Sequence, residues 1–230
     1  MSYLLRVLLP DRPGMLGAVA TALGAAGADI LSVDVVERAA GIAVDDLIVE
    51  LPPGKLADAL VTAVVSVSGV SVESIQRYYQ GIGEAHRELE LLEALAGSPD
   101  RAPELLVAGA PRIFRAGWAV VVRYDERGPR VEAASPAAPE LTDLDLPWLP
   151  LHRAQVLDPT ARWVPAEWGA LGTELAAAPL GDPDRAVLVG RPGGPAWRTA
   201  ELLRLAHLAG IAVTVAQQVT PPQPAHRGRR

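Results

Sequence analysis

The stretch that most constrains this chain is Asp11-Arg12-Pro13-Gly14-Met15-Leu16-Gly17, set between an apolar run and an Ala-rich one. Leu4 to Leu9, broken only by Arg6, reads as a buried strand that Pro10 ends. Pro13 suits a first helical position, where its missing N–H costs nothing. Leu16, Val19, Ala20 and Leu23 then recur at i, i+3, i+4 and i+7, which predicts a helix with one apolar face. The first-turn N–H groups of such a helix have no intrahelical acceptor and must find water, a cap or a ligand.

A helix start carries partial positive charge, and glycine lets an anion approach the backbone closely. A free carboxylate fits that description. Asp11, just upstream, is placed either to cap the helix or to face an ammonium group of the same small molecule. An amino acid carries both charges. The plainer alternative is that Asp11 and Pro13 only punctuate a strand-to-helix turn.

After Gly27, Leu31, Val33 and Val35 alternate with Ser32 and Asp34, as in a strand with one wet face. Ala39-Ala40-Gly41 turns the chain, Leu47, Val49 and Leu51 continue the alternation, and Pro52-Pro53-Gly54 stops it. Leu56, Ala59, Leu60 and Ala63 have helical spacing. Gly69 breaks that helix, and Val70 to Ile75 read as a last short strand. The order βαββαβ places two helices on one face of a four-stranded antiparallel sheet.

Asp-Arg-Pro-Gly-Met-Leu-Gly, the helix closing at Gly27, and Ala28-Asp29-Ile30-Leu31-Ser32-Val33 together resemble the opening of an ACT domain, the small regulatory module that binds amino acids. The resemblance runs from about Tyr3 to Tyr78. It implies a ferredoxin-like domain over residues 1–79 whose ligand site is lined by Asp11, Arg12, Pro13, Gly14, Met15 and Leu16 of the loop. Asp29 and Ile30, at the start of the second strand, complete the implied site. The family commonly has Asn where this chain has Asp29, and an ionised Asp repels a ligand carboxylate while accepting from an ammonium group. No second loop of this kind occurs, so one copy with a site at its edge implies a homodimer.

In the second half, Glu84 to Leu95 suggest a charged helix, expected as a connector over 80–97, and Pro103 to Phe114 another. Trp118 to Tyr124, turning at Asp125-Glu126-Arg127-Gly128 into Arg130 to Ala134, give a hairpin signal. Ser135 to Pro150 read as an irregular excursion. Glu174 to Leu180 and Ala186 to Gly190 read as two more strands, and Pro195 opens a long helix striped by Leu202, Leu205, Ala206 and Ala209. From Glu88 to Ala216 this order resembles a GAF domain, a PAS-like sensor module with an antiparallel sheet. The resemblance implies an α+β fold over 98–218 and carries no ligand-binding positions. The Pro- and Arg-rich end, 219–230, is expected to be disordered.

Half of the 230 residues are hydrophobic, enough for a real core in one or two domains, and two are expected. The net charge of −6 argues against a nucleic-acid partner. The absence of Cys excludes disulfides, thiolate metal sites and a Cys nucleophile, and suits a cytoplasmic protein. The sequence shows no signal peptide and no apolar stretch of about 18 residues, so no membrane partner is expected.

His86, His152, His207 and His226 are scattered without ligand spacing, and no cofactor or metal is implied. Gly190 to Gly194 lacks the Lys-Ser/Thr of a phosphate loop, and no serine sits in a nucleophile elbow. Asp45-Asp46 and the pair Asp143 and Asp145 read as solvated turns. All five tryptophans fall in the second half. Trp148, Trp163 and Trp168 either wall a small-molecule pocket or pack as core, and core is the simpler account. The expected function is a non-enzymatic regulator that binds an amino acid and passes the signal on, with a protein partner as a further possibility. The alternatives are an allosterically regulated enzyme with its chemistry in the second half, or a ligand-free dimerisation scaffold.

Overall fold

A computed structural model describes residues 1–78, 84–141 and 145–219. The chain divides into two units, Met1–Ile82 with Arg198–Glu201, and Gly83–Trp197 with Leu202–Arg230. Both are α+β with an antiparallel sheet.

The first unit runs β1 (Ser2–Pro10), α1 (Met15–Ala25), β2 (Asp29–Ala39), β3 (Ile42–Glu50), α2 (Asp58–Val65) and β4 (Ser71–Tyr78), with sheet order β2-β3-β1-β4. Tyr3, Leu5, Val7 and Leu9 alternate along β1 and meet Met15, Val19 and Leu23 of α1 and Leu60 and Val64 of α2 in one core. Pro13 is not the first helical residue. Gly14 takes φ +89°, a left-handed conformation open mainly to glycine, so α1 begins only at Met15. That delay rotates the apolar stripe: Met15 is buried and Leu16 is 36% exposed.

Asp45 and Asp46 are mid-strand residues of β3, both buried, and not a solvated turn. They point to opposite faces. Asp45 shares the helix-facing side with Ala43, Leu47 and Val49, while Asp46 lies opposite Arg6 on the other side. Arg6 donates from Nε and Nη2 to the two oxygens of Asp46 at 2.9 and 2.8 Å, and to Glu201 at 3.2 and 3.3 Å. All three side chains are buried. Burial works against the Arg6 charge, but the hydrogen bonds and charges of Asp46 and Glu201 outweigh it and hold the guanidinium above its usual pKa.

The second unit runs α3 (Glu84–Gly97), a short 3₁₀ turn at Pro99–Arg101, α4 (Ala102–Ile113), β5 (Trp118–Asp125), β6 (Gly128–Ala134), β7 (Gln155–Leu157), α5 (Ala166–Ala170), β8 (Glu174–Leu180), β9 (Asp182–Arg191) and, from Leu202 on, α6 (Thr199–Val219). Its sheet order is β6-β5-β9-β8-β7. Alternation along β5 and β9 divides two cores. Ala119, Val121, Val187 and Val189 face helical residues such as Leu95, Leu106 and Leu205, while Trp118, Val120, Val122 and Leu188 face the segment between β6 and β8. Both faces of the strands are covered, which explains why the run from Trp118 to Val122 shows no polar alternation.

Several expectations change here. The helix read as a connector belongs to the second unit, with Leu91 and Leu95 in its core. Beyond the excursion read over Ser135 to Pro150, where no element was expected, lie β7 and α5. The last helix starts at Thr199, not Pro195, because Glu201 Oε2 accepts the Arg198 N–H at 2.9 Å and so fixes the first turn. Over Thr199–Gln218 that helix is long and apolar enough to cross a membrane by length and composition, unlike the sequence expectation. Its Leu205, Leu208, Ala209 and Ala212 are spent on the core of the second unit. The tail expectation for 219–230 falls, beyond Val219, outside the described residues, as does Asp143.

Gly190 marks a close approach. It pairs with Trp118 across β5 and β9, and a Cβ there would lie 2.1 Å from Cε2 of the indole. Only glycine leaves room for the ring to lie across the neighbouring strand.

Candidate functional site: a charged cleft at the start of the first helix

Strand β1 ends at Pro10, and the chain crosses to α1 through a turn held by its own backbone. Asp11 N–H donates to Gly41 O at 2.8 Å and Arg12 N–H to Pro10 O at 2.8 Å. No side chain caps α1, so Asp11 does not act as its cap. Met15 N–H reaches Arg12 O only at 3.4 Å, and Ala18 donates to Gly14 O at 2.9 Å. The helix start therefore faces outward with its positive end uncapped by a side chain.

Beside it lies a cleft of about 300 Å³. Asp11, Arg12, Pro13, Gly14 and Leu16 are among the residues that line it. It is also lined by residues that the sequence did not point to, chiefly Val35 and Arg38 of β2 and Ala43 and Asp45 of β3. Arg38 approaches Asp11 at 3.6 Å, with both side chains well exposed. Asp45 is 3% exposed, and its Oδ1 has no hydrogen-bond partner among the described residues.

Three expected site residues stand elsewhere. Met15 faces the core. Asp29 and Ile30 open β2 opposite Glu50 and Val49, whereas the loop follows Pro10, which pairs with Ile42 at the other end of β3. Within one chain they do not meet the cleft.

Burial is the largest influence on Asp45 and pushes its carboxyl up. Arg38 opposes this, and the like charges of Asp46 and Asp11 add to it. A carboxyl whose pKa rises on folding contributes more stability below the ordinary Asp range and loses it as pH climbs through the raised value. Asp45→Asn is therefore expected to be more stable than the parent at neutral pH, by about 1 kcal/mol. Melts followed by circular dichroism should show this advantage shrinking as pH falls through the raised value towards the ordinary Asp pKa of 3.8. An advantage unchanged between neutral pH and pH of about 3 would contradict it.

In the second unit, the tryptophans fill the space where a pocket was an alternative. Trp118 and Trp168 pack at a tilt with centroids 4.7 Å apart, Trp163 meets Trp168 edge-on at 6.5 Å, and Trp148 lies 5.9 Å from Trp163. Among the described residues no group of three or more His, Cys, Asp or Glu could hold a metal ion.

Residues 3–69 match the family model of the ACT domain. The first unit carries an ACT domain. With it comes a regulatory role, since ACT domains commonly bind small ligands and dimerise. A comparison with curated proteins finds no match.

Among solved structures, a formyltetrahydrofolate deformylase from Pseudomonas putida is similar over 42% of this chain and 38% of its own, at 12% identity and a TM-score of 0.30. The matched region thus spans well under half of that protein. The GAF domain of PixJ from Thermosynechococcus elongatus is similar over 56% of this chain and 89% of its own, at 16% identity and a TM-score of 0.40. The chromophore-binding domain of a bacteriophytochrome from R. palustris is similar over 95% of both chains, at 10% identity and a TM-score of 0.42.

Proposed function

We propose that this protein is a non-enzymatic regulator in the cytoplasm whose ACT domain binds a free amino acid in the cleft beside α1. The reading rests on one observation: a single small cleft brings together Asp11 and Asp45, Arg12 and Arg38, and the start of a helix. An amino acid presents an anion and a cation one carbon apart. Its carboxylate suits the helix start and the guanidinium groups, and its ammonium suits the carboxylates. The second unit would sense another signal or pass this one to a protein partner.

The position of Asp29 and Ile30, away from the loop of their own chain, favours a homodimer in which they reach the cleft of a second copy. Binding across that boundary would favour assembly. At 100 times its dissociation constant, a ligand stabilises the bound form by about 2.7 kcal/mol.

A thermal-shift screen of the standard L-amino acids tests this. One or a few are expected to raise the melting temperature, and Gly14→Val is expected to erase the shift, because a β-branched residue is strained at φ +89°. No response to any of them would leave the dimerisation scaffold as the better account.

A further inference from the structure

We propose that Asp45 is the ammonium receptor of the cleft, its buried Oδ1 accepting a hydrogen bond from a cationic nitrogen of the ligand, so that the site admits amines and rejects their des-amino counterparts. This rests on the amino-acid reading of the same cleft and names the residue that sets its selectivity.

The fold alone does not explain the Asp45 carboxylate. A carboxylate that is 3% exposed with one oxygen lacking any donor is costly, and such groups are ordinarily paired or ligated. The strands on either side offer nothing, since Asp45 lies opposite Val7 of β1 and Val35 of β2. Arg38 is the nearby cation, yet its side chain is 63% exposed and approaches Asp11 at 3.6 Å. Asp45 lines the cleft, so a ligand entering it can supply the missing donor.

The chemistry of the cleft narrows the donor to an organic ammonium. Among the described residues no group of three or more His, Cys, Asp or Glu is assembled to hold a metal ion here. An ammonium carries three N–H donors on a compact centre, enough to serve Asp45 and Asp11 together. The like charges of Asp11 and Asp46 raise the Asp45 carboxyl, and a bound cation relieves them. A cleft of about 300 Å³ lies at the small end of ligand sites, in keeping with a single amino acid.

Isothermal titration of the full-length chain with each standard L-amino acid, then of every binder against its des-amino acid, tests the proposal. The des-amino compound is expected not to bind the parent protein. Asp45→Asn is expected to weaken the amino acid about 10- to 100-fold while keeping a folded circular dichroism spectrum. If the amino acid binds and either its des-amino acid or the Asn variant binds equally well, Asp45 is not the receptor and the amino-acid reading survives. If no amino acid binds the parent protein, both fall. The des-amino arm uses no variant, so misfolding of Asp45→Asn cannot decide the outcome.

Discussion

Arg6→Ala is expected to destabilise the first unit by about 3–5 kcal/mol, the cost of breaking a buried ion pair by removing one partner. Arg6 is 4% exposed and lies between the carboxylates of Asp46 and Glu201, which are almost equally buried. Its removal leaves two negative charges in a dry setting without the guanidinium that neutralises them. The fork geometry matters as well. Arg6 meets Asp46 through two nearly parallel hydrogen bonds, so Arg6→Lys, with one compact charge, should recover only part of the loss. The triple variant Arg6→Met, Asp46→Leu, Glu201→Met should regain part of it, because apolar side chains of similar volume carry no desolvation cost, although the Arg198 N–H loses its acceptor. Thermal melts followed by circular dichroism check this, at about 2–4 °C per kcal/mol for a chain of this length. An Arg6→Ala melting temperature within 2 °C or so of the parent would show that solvent reaches these charges.

Trp168→Ala should cost the second unit a similar amount, about 3–5 kcal/mol. Trp168 is buried, packs at a tilt against Trp118 at 4.7 Å and meets Trp163 edge-on, so truncation leaves a large void against one face of the sheet. Trp168→Phe keeps a ring there and should lose much less. Chemical unfolding with urea separates the two variants by their midpoints. Equal midpoints would mean that the segment between β6 and β8 collapses into the void, and that the stack contributes little beyond bulk.

The order of elements was legible in the first half, and in the second apart from β7 and α5, because the hydrophobic period switches from 2 to 3.6 and turns carry Gly or Pro. Strand order was not, since it depends on contacts far apart in sequence. At the cleft, the loop side could be read from Asp11 to Leu16, yet the helix start could not. The proline rule favours Pro13, and only the left-handed backbone of Gly14 moves the start to Met15 and turns Leu16 outward. Asp45 was missed for a related reason. Two adjacent acids look like a turn when the strand is begun at Leu47, but Ala43, Asp45, Leu47 and Val49 share one phase of the alternation. Extending that phase by four residues would have placed a carboxylate on the core face. The tryptophans resisted the sequence differently, because an apolar aromatic is equally at home walling a cavity and filling one.

The placement of the indoles has a practical consequence. Trp118, Trp148, Trp163, Trp168 and Trp197 all belong to the second unit, and the first has none. Ultraviolet emission excited near 295 nm or so reports one half of the molecule and leaves the ACT domain dark, whereas the peptide signal sums both. Following the two signals side by side through a single heating ramp would reveal whether the halves melt as one cooperative body or one after the other.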